Sequence, residues 1–184
     1  MSLDTFYNNL EAELGEEYIV PHFDLQFGAS TNSTTLLFLE APGPQVRLTK
    51  TISLTNDDPS AKNLRAQLNE AEVELKDILL WNIVPWIRKT GVGFDVPSMQ
   101  DIVRARKFHQ QLFNTLPLLR TVVFVGKKAQ RDMVFYSGCG NYRLLAAHHP
   151  SAQAMVIRTR WDDNVAVFRR INMQATRVAC APRP

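Results

Sequence analysis

The sequence predicts an α/β fold in which a central four-stranded parallel sheet lies between two layers of helices. Four short apolar runs are typical of strands that helices cover on both faces. The segments between these runs show helical periodicity or begin with helix-capping residues. We therefore expect a three-layer α/β/α architecture and a single domain over residues 1–184. An N-terminal helix and its lead-in would occupy residues 1–30, and a loose tail residues 179–184.

The predicted strands are continuous apolar runs that stop at turn-forming or polar residues. The first, TLLFLEA, stops at Pro42-Gly43-Pro44, and the second, DILLWNIVP, stops at a proline. The third ends at a glycine, and the fourth ends at two histidines. The four strands are predicted over residues 35–41, 77–85, 121–126 and 142–147.

The predicted helices begin at capping residues. Ser2 precedes a run of apolar residues at helical spacing, and Asp58 precedes a proline at the first helical position. Ser98 begins a sequence that resembles a capping box, and Ser151 is expected to cap a long final helix. The helices are predicted over residues 3–18, 58–72, 98–115, 127–136 and 151–173.

The composition is that of an ordinary globular protein, with 45% hydrophobic and 21% charged residues. A formal net charge of +3 weakly favours a polyanionic partner. The two cysteines, Cys139 and Cys180, show no CxxC spacing, so we expect a reducing, cytoplasmic location. The N-terminal segment is acidic and no apolar run reaches transmembrane length, so we expect no membrane partner. We also expect a monomer.

Polar residues whose side chains could take part in catalysis or binding lie where the predicted strands end. Glu40 ends the first strand, Asn82 lies towards the end of the second, and His148 and His149 follow the fourth. Because the carboxyl ends of parallel strands share one edge, these side chains are expected to gather there. Each of them alone could be structural, as a strand-end acid, a capped amide or a satisfied histidine pair. Their shared edge favours a functional site.

Signatures of other chemistries are absent from the sequence. The four histidines, which include His22 and His109, show no HxxxH spacing. The phosphate-binding pattern GxxxxGK[ST] and the nucleophile pattern GxSxG do not occur. We therefore expect neither a metal nor a cofactor.

Three segments, LLFLEAPGP, ILLWNIVPW and HHPS, resemble successive motifs of the uracil-DNA glycosylase superfamily. The first two are most similar to the iron–sulfur branch of that superfamily. The motifs occur in the expected order at successive strand ends, and the resemblance spans residues 35–154. It implies a DNA glycosylase that removes uracil or a related deaminated base from DNA.

The resemblance also implies a role for each matching residue. Asn82 would read the Watson–Crick edge of a flipped base, His149 would hydrogen-bond its carbonyl oxygen, and Glu40 would orient or activate the attacking water. An amide suits this role because it offers one donor and one acceptor. A donor at the base oxygen and a carboxylate near the sugar would stabilise developing charges. The resemblance further implies that Ala41 contacts the base. It implies contacts with the DNA backbone for Pro42, Gly43, Pro150 and Ser151.

The sequence departs from the superfamily pattern in several places. Two cysteines cannot supply the four ligands of an iron–sulfur cluster, so no cluster is expected. Residues 39–80 contain no aromatic residue to stack on the base, for which Phe23 or Phe94 could substitute. A leucine wedge is replaced by Gln153, with Met155 as an alternative wedge or, more simply, a core residue. Asp57 could share the water-activating role, or belong to a turn.

Three functions remain open at this point. The first is a monofunctional DNA glycosylase, which Glu40, Asn82 and His149 favour. The second is a catalytically silent module that binds nucleic acid or protein, which the absent ring and wedge favour. The third is a hydrolase of small nucleotides or nucleobases.

The purified protein is expected to be colourless and free of stoichiometric metal, because the sequence has no cysteine quartet and no histidine cluster at ligand spacing. Elemental analysis checks this expectation. One iron or zinc per chain would contradict it.

Overall fold

The computed structural model describes residues 2–91, 93 and 96–172. The strands are β1 (Tyr18–Ile19), β2 (His22–Phe23), β3 (Thr35–Leu39), β4 (Thr51–Ile52), β5 (Ile78–Asn82), β6 (Ile87–Arg88), β7 (Thr121–Val125) and β8 (Arg143–Ala147). The α-helices are α1 (Leu3–Leu14), α2 (Val46–Thr49), α3 (Pro59–Glu70), α4 (Met99–Phe113), α5 (Lys127–Gln130), α6 (Met133–Ser137), α7 (Ala152–Met155) and α8 (Arg158–Asn172). Single 3₁₀ turns occupy Gln26–Gly28 and Leu75–Asp77.

The central sheet has four parallel strands in the order β5-β3-β7-β8. The predicted four-stranded parallel sheet is therefore confirmed. Leu39 lies opposite Asn82 of β5, and Val125 of β7 lies opposite Ala147 of β8. Because every strand runs in the same direction, all four carboxyl ends lie at one edge of the sheet.

Helices cover both faces of the sheet and complete the predicted α/β/α architecture. Helix α1 packs on α4 over one face, and α3 packs on α8 over the other. On the first face, the register partners Phe38 and Trp81 are fully buried. The ring of Phe38 packs against Phe113 of α4, and that of Trp81 against Phe6 of α1. Burial of these rings provides the hydrophobic stabilisation of this layer.

Two short strand pairs lie outside the central sheet. Strand β1 pairs with β6 in antiparallel orientation, and β2 pairs with β4 in parallel orientation. Each of these strands has two residues, which is too short for a periodic pattern to reveal. The β2–β4 pair fixes the start of the segment that leads to α3.

Three predicted helices differ from the structure by more than two residues at one end or are divided. Helix α1 ends at Leu14 instead of residue 18, because Gly15 adopts a φ of 80° and its N–H donates to the carbonyl of Glu11. The helix predicted over 127–136 is divided into α5 and α6. Between them, Asp132 turns its buried carboxylate towards the guanidinium of Arg106, with Nη2 and Oδ1 2.5 Å apart.

The final predicted helix, over 151–173, is divided into α7 and α8. The division falls at Val156 and Ile157, two adjacent exposed residues whose β-branched side chains are unfavourable in helices. Residue 173 and the predicted loose tail at 179–184 lie outside the described residues. Among the helices that the structure describes, none combines the length and the apolar character needed to cross a membrane.

Candidate active site

The four strand ends bring together a carboxylate, an amide, a glycine and an imidazole. Glu40 directly follows β3, Asn82 is the last residue of β5, Gly126 directly follows β7, and His149 lies just beyond β8. Asn82 and His149 share a pocket, whereas Glu40 and His149 both lie against Gly126. His149 is therefore the residue that connects the amide side of the site with the carboxylate side.

The pocket at this edge has a volume of about 170 Å³. The loop that follows β3, residues 41–46, forms one wall, and residues 52–54, 56 and 58–61 with Leu64 form another. The lining within the described residues contains aliphatic side chains and four prolines but no Phe, Tyr or Trp. Pockets for drug-sized ligands typically measure about 300–1,000 Å³. This pocket is therefore smaller than a drug-sized site, and its described lining offers no Phe, Tyr or Trp ring for stacking.

The amide of Asn82 lines the pocket and is buried, with 1% of the residue exposed. Neither its Oδ1 nor its Nδ2 has a hydrogen-bond partner among the residues that the structure describes. An unsatisfied buried polar group costs about 1–3 kcal/mol. A ligand with a donor and an acceptor side by side would pair both atoms and remove that cost.

The imidazole of His149 has a defined hydrogen-bonding direction. The backbone N–H of Ser151 donates to its Nδ1 over 3.2 Å, which leaves the ring proton of the neutral form on Nε2. Burial lowers the pKa of His149 below its ordinary value of 6.5, while the carboxylates of Glu40 and Asp58 oppose this shift. His149 is therefore a neutral donor through Nε2 at neutral pH.

The carboxylate of Glu40 faces a wider groove of about 870 Å³, which shares His149 with the small pocket. Its Oε1 lies 3.5 Å from the backbone nitrogen of Lys128, which is at the limit of a hydrogen bond. Gly126 makes room for this arrangement. A Cβ at that position would stand 2.7 Å from Oε1 of Glu40 and 3.1 Å from Cδ2 of His149.

Comparison with known proteins identifies the family to which the chain belongs. Residues 26–174 match the family model of the Uracil DNA glycosylase superfamily. The chain belongs to this superfamily. A solution NMR structure of a candidate uracil DNA glycosylase from Methanosarcina acetivorans has a TM-score of 0.53 and 16% identity, covering 83% of this chain and 98% of that chain. Identity this low shows a shared fold alone. No curated protein matches the chain.

The structure places most of the residues suggested by the superfamily motifs at the pocket. Ala41, Pro42, Gly43 and Pro150 line it together with Asn82 and His149. Ser151 instead caps α7, where its Oγ accepts from the backbone N–H of Ala154 over 3.3 Å.

Asp57, which the sequence suggested could share the water-activating role or belong to a turn, does not line the pocket. Its exposed carboxylate accepts from Nζ of Lys62 over 2.6 Å, and this ion pair lowers the pKa of Asp57. The neighbouring Asp58 lines the pocket and caps α3, accepting from the backbone N–H of Ala61 over 2.9 Å. Because Asp57 and Asp58 are adjacent acids before a proline, the sequence gives no signal of which one faces inward.

Those aromatic and apolar substitutes suggested by the sequence that the structure describes do not line the pocket. Phe23 is buried in the core, where its ring packs on Trp81 with centroids 4.8 Å apart. Phe94 lies outside the described residues. Gln153 is exposed on α7 and does not line the pocket, whereas the partly buried Met155 receives a contact from Gln67. The absence of a stacking ring from residues 39–80 thus leaves aliphatic walls around the pocket.

The iron–sulfur branch of the superfamily suggests a cluster, and the residues present do not fit one. The whole chain has two cysteines, and Cys139 is partly buried with its Sγ 3.4 Å from the carbonyl of Phe135. Within residues 2–91, 93 and 96–172, no group of three His, Cys, Asp or Glu side chains could hold a metal ion.

Gly126→Ala is expected to impair the site, because the new Cβ would press on Glu40 and His149 and because Gly126 has a φ of 95° and a ψ of 155°. That backbone region costs a residue other than glycine about 1–3 kcal/mol. Denaturant unfolding should show that loss. Gly138→Ala is the matched control, since Gly138 is helical with 3.7 Å to its nearest neighbouring atom. Equal behaviour of the two variants would contradict the expectation.

Proposed function

We propose that this protein is a monofunctional DNA glycosylase that hydrolyses the N-glycosidic bond of uracil or a related deaminated base in DNA. The observation that carries the proposal is the amide of Asn82, which is buried and unpaired within the described residues and belongs to a residue that lines a small pocket. A base enters such a pocket after it leaves the duplex stack. Membership of the superfamily supports the same reaction class.

The amide of Asn82 suits the lactam edge that deaminated bases share. Uracil and hypoxanthine both carry a ring N–H beside a carbonyl oxygen. Oδ1 of Asn82 would accept from the ring N–H, and Nδ2 would donate to the carbonyl oxygen. A base with a different edge would leave the buried amide unpaired, which disfavours its binding.

His149 is suited to the departure of the base. When the glycosidic bond breaks, its electron pair leaves with the base, and a carbonyl oxygen of the base becomes more negative. The Nε2–H group of His149, directed by the Ser151 N–H on Nδ1, would donate to that oxygen. A positioned neutral donor of this kind stabilises developing charge without a proton transfer of its own.

Glu40 is suited to the sugar side of the same reaction. Its carboxylate lies against Gly126 beside His149 and faces the wider groove. A negative charge there would stabilise the cationic sugar, and the carboxylate would orient the water whose oxygen bonds to C1′. That water loses a proton to Glu40 or to solvent and the departing base anion takes up a proton from solvent, so the products are the free base and an abasic site.

A silent binding module on the same scaffold is the second candidate. The aliphatic pocket walls favour it, because a base–aromatic stack contributes about 1–3 kcal/mol and the described lining supplies none. Such a module would bind DNA that carries the base and leave the glycosidic bond intact.

Incubation with defined oligonucleotides decides between the two candidates. Single- and double-stranded DNA carrying uracil, hypoxanthine or xanthine would be incubated with the protein and then treated with alkali. Strand cleavage at the modified base is expected from a glycosylase. Binding without alkali-labile sites on every substrate would contradict the proposal and support the silent module.

Asn82→Leu is expected to lower kcat/KM by up to about 10²-fold, because two hydrogen bonds to the base, each with a net contribution of about 0.5–1.5 kcal/mol, would be lost. Asn69→Leu is the control, since Asn69 is exposed on α3 outside the pocket. Multiple-turnover kinetics on the best substrate measure both variants. Wild-type kinetics in Asn82→Leu would show that the amide of Asn82 takes no part in base recognition.

His149→Ala is expected to slow single-turnover base release about 10²–10³-fold with little change in DNA affinity, because its contact strengthens as charge develops. His148→Ala should have a much smaller effect. The His148 side chain is 45% exposed, lies 3.3 Å from the carboxylate of Asp163 and does not line the pocket. A larger effect of His148→Ala than of His149→Ala would refute the assignment.

A further inference from the structure

The backbone of His148 is held by a side chain where a neighbouring strand would otherwise pair. β8 is the edge strand of the central sheet. The N–H of His148 donates to Oδ1 of Asn164 over 2.7 Å, and Nδ2 of Asn164 donates to the carbonyl of His148 over 3.0 Å. Asn164 is fully buried on α8. Its amide therefore pairs with both polar groups of one residue, as a strand would.

Two amides of α3 support the same segment, one by a direct bond and one through Asn164. Nδ2 of Asn63 donates to the carbonyl of Pro150 over 2.8 Å. Gln67, one helical turn later and fully buried, accepts from Nδ2 of Asn164 over 3.2 Å, and its own Nε2 lies 2.9 Å from Sδ of Met155. We name Asn63, Gln67 and Asn164 the amide clamp.

The bond from Asn164 to Gln67 fixes which way the Asn164 amide faces. Its nitrogen must lie between two acceptors, the Gln67 Oε1 and the His148 carbonyl, while its oxygen meets the His148 N–H. No rotation of the amide by 180° would preserve these three bonds. The clamp is therefore an oriented polar network whose donors and acceptors match, which makes it rigid.

The only residue between the clamped backbone groups of His148 and Pro150 is His149. The side chain of His149 lies against Gly126, since a Cβ at that glycine would stand 3.2 Å from the Cβ of His149. Helix α3 also supplies pocket residues from its first turns, including Asp58 at its N-cap and Leu64. The clamp thus joins the imidazole and one pocket wall into a single unit.

We propose that Asn164 is a positioning residue for base release, which holds the backbone of His148 so that His149 keeps its place beside the pocket. This inference rests on the proposed function. An apolar side chain would fill the space between α3 and α8 equally well, but it could not pair with both backbone groups of His148. The clamp therefore gives His149 a fixed position that packing alone would not give.

The first test reads the position of His149 without any substrate. Imidazole nitrogen shifts in ¹⁵N-histidine-labelled protein, recorded where His149 is neutral, distinguish the Nε2–H from the Nδ1–H tautomer. The wild type should show the Nε2–H form, because Ser151 donates to Nδ1. Asn164→Leu should show a mixture of tautomers for His149. An unchanged His149 spectrum in this variant would overturn the proposal.

A matched control exists on the same helix. Asn172 of α8 also ties α8 to the end of α3, with Nδ2 donating to the carbonyl of Glu72 over 2.9 Å and lying 3.4 Å from that of Ala71. It lies away from the His148–Pro150 segment. Asn172→Leu should keep the wild-type His149 spectrum. The same perturbation in both variants would show a general effect of loosening the two helices and would overturn the specific role of Asn164.

The second test is a double-mutant cycle on base release. Asn164→Leu should slow single-turnover release about 10²-fold, as small misplacements of catalytic groups do, with DNA affinity within about twofold of wild type. In a His149→Ala background the same substitution should cause no further loss. Losses that multiply in the double variant would show that Asn164 acts elsewhere and would overturn the proposal.

A variant that folds is needed for both tests. If Asn164→Leu does not give a cooperative unfolding transition, Asn164→Asp replaces it, because it keeps the acceptor for His148 and removes the donor. The same outcomes then decide. A wild-type protein that releases no base from any substrate would contradict the proposed function, and the tautomer measurement alone would then support or overturn the clamp.

Discussion

The arrangement of the site depends on the parallel pairing of β3 with both of its neighbours. Central position and a shared strand direction force the residues after β3, β5 and β7 to one edge. The pairing also continues beyond the strands, where the N–H groups of Ile83 and Val84 donate to the carbonyls of Leu39 and Glu40 over 2.8 and 3.2 Å. These backbone hydrogen bonds fix the position of Glu40 independently of any contact that its side chain makes.

Buried amides serve opposite purposes on the two sides of His149. Asn164 has all of its observed bonds within the protein, and such a satisfied network holds neighbouring backbone in place. Asn82 has no partner for either amide atom within the described residues, so its pairing capacity is open to a ligand. The same functional group is structural at Asn164, where it is paired, and under the proposed function it would recognise the base at Asn82, where it is unpaired.

The sequence was sufficient to predict the parallel sheet and the convergence of Glu40, Asn82 and His149, because buried strands are apolar runs and their polar ends are conspicuous. It was insufficient to show that Asp58, and not Asp57, faces the pocket, since that depends on how the chain enters α3. The sequence also could not show that Gly126 leaves room for the side chains of Glu40 and His149. Such a role becomes visible only when atoms from three strand ends meet.

The pairing of Asn164 with His148 has a consequence for the solution behaviour of the protein. An edge strand with free N–H and C=O groups can recruit a strand from another chain, and proteins that expose such edges tend to aggregate. At His148 those groups are already occupied, and farther back the side chain of Arg143 donates to the carbonyl of Arg170 over 2.7 Å, which ties β8 to α8. The helix thus obstructs intermolecular strand addition at the end of β8 that borders the site.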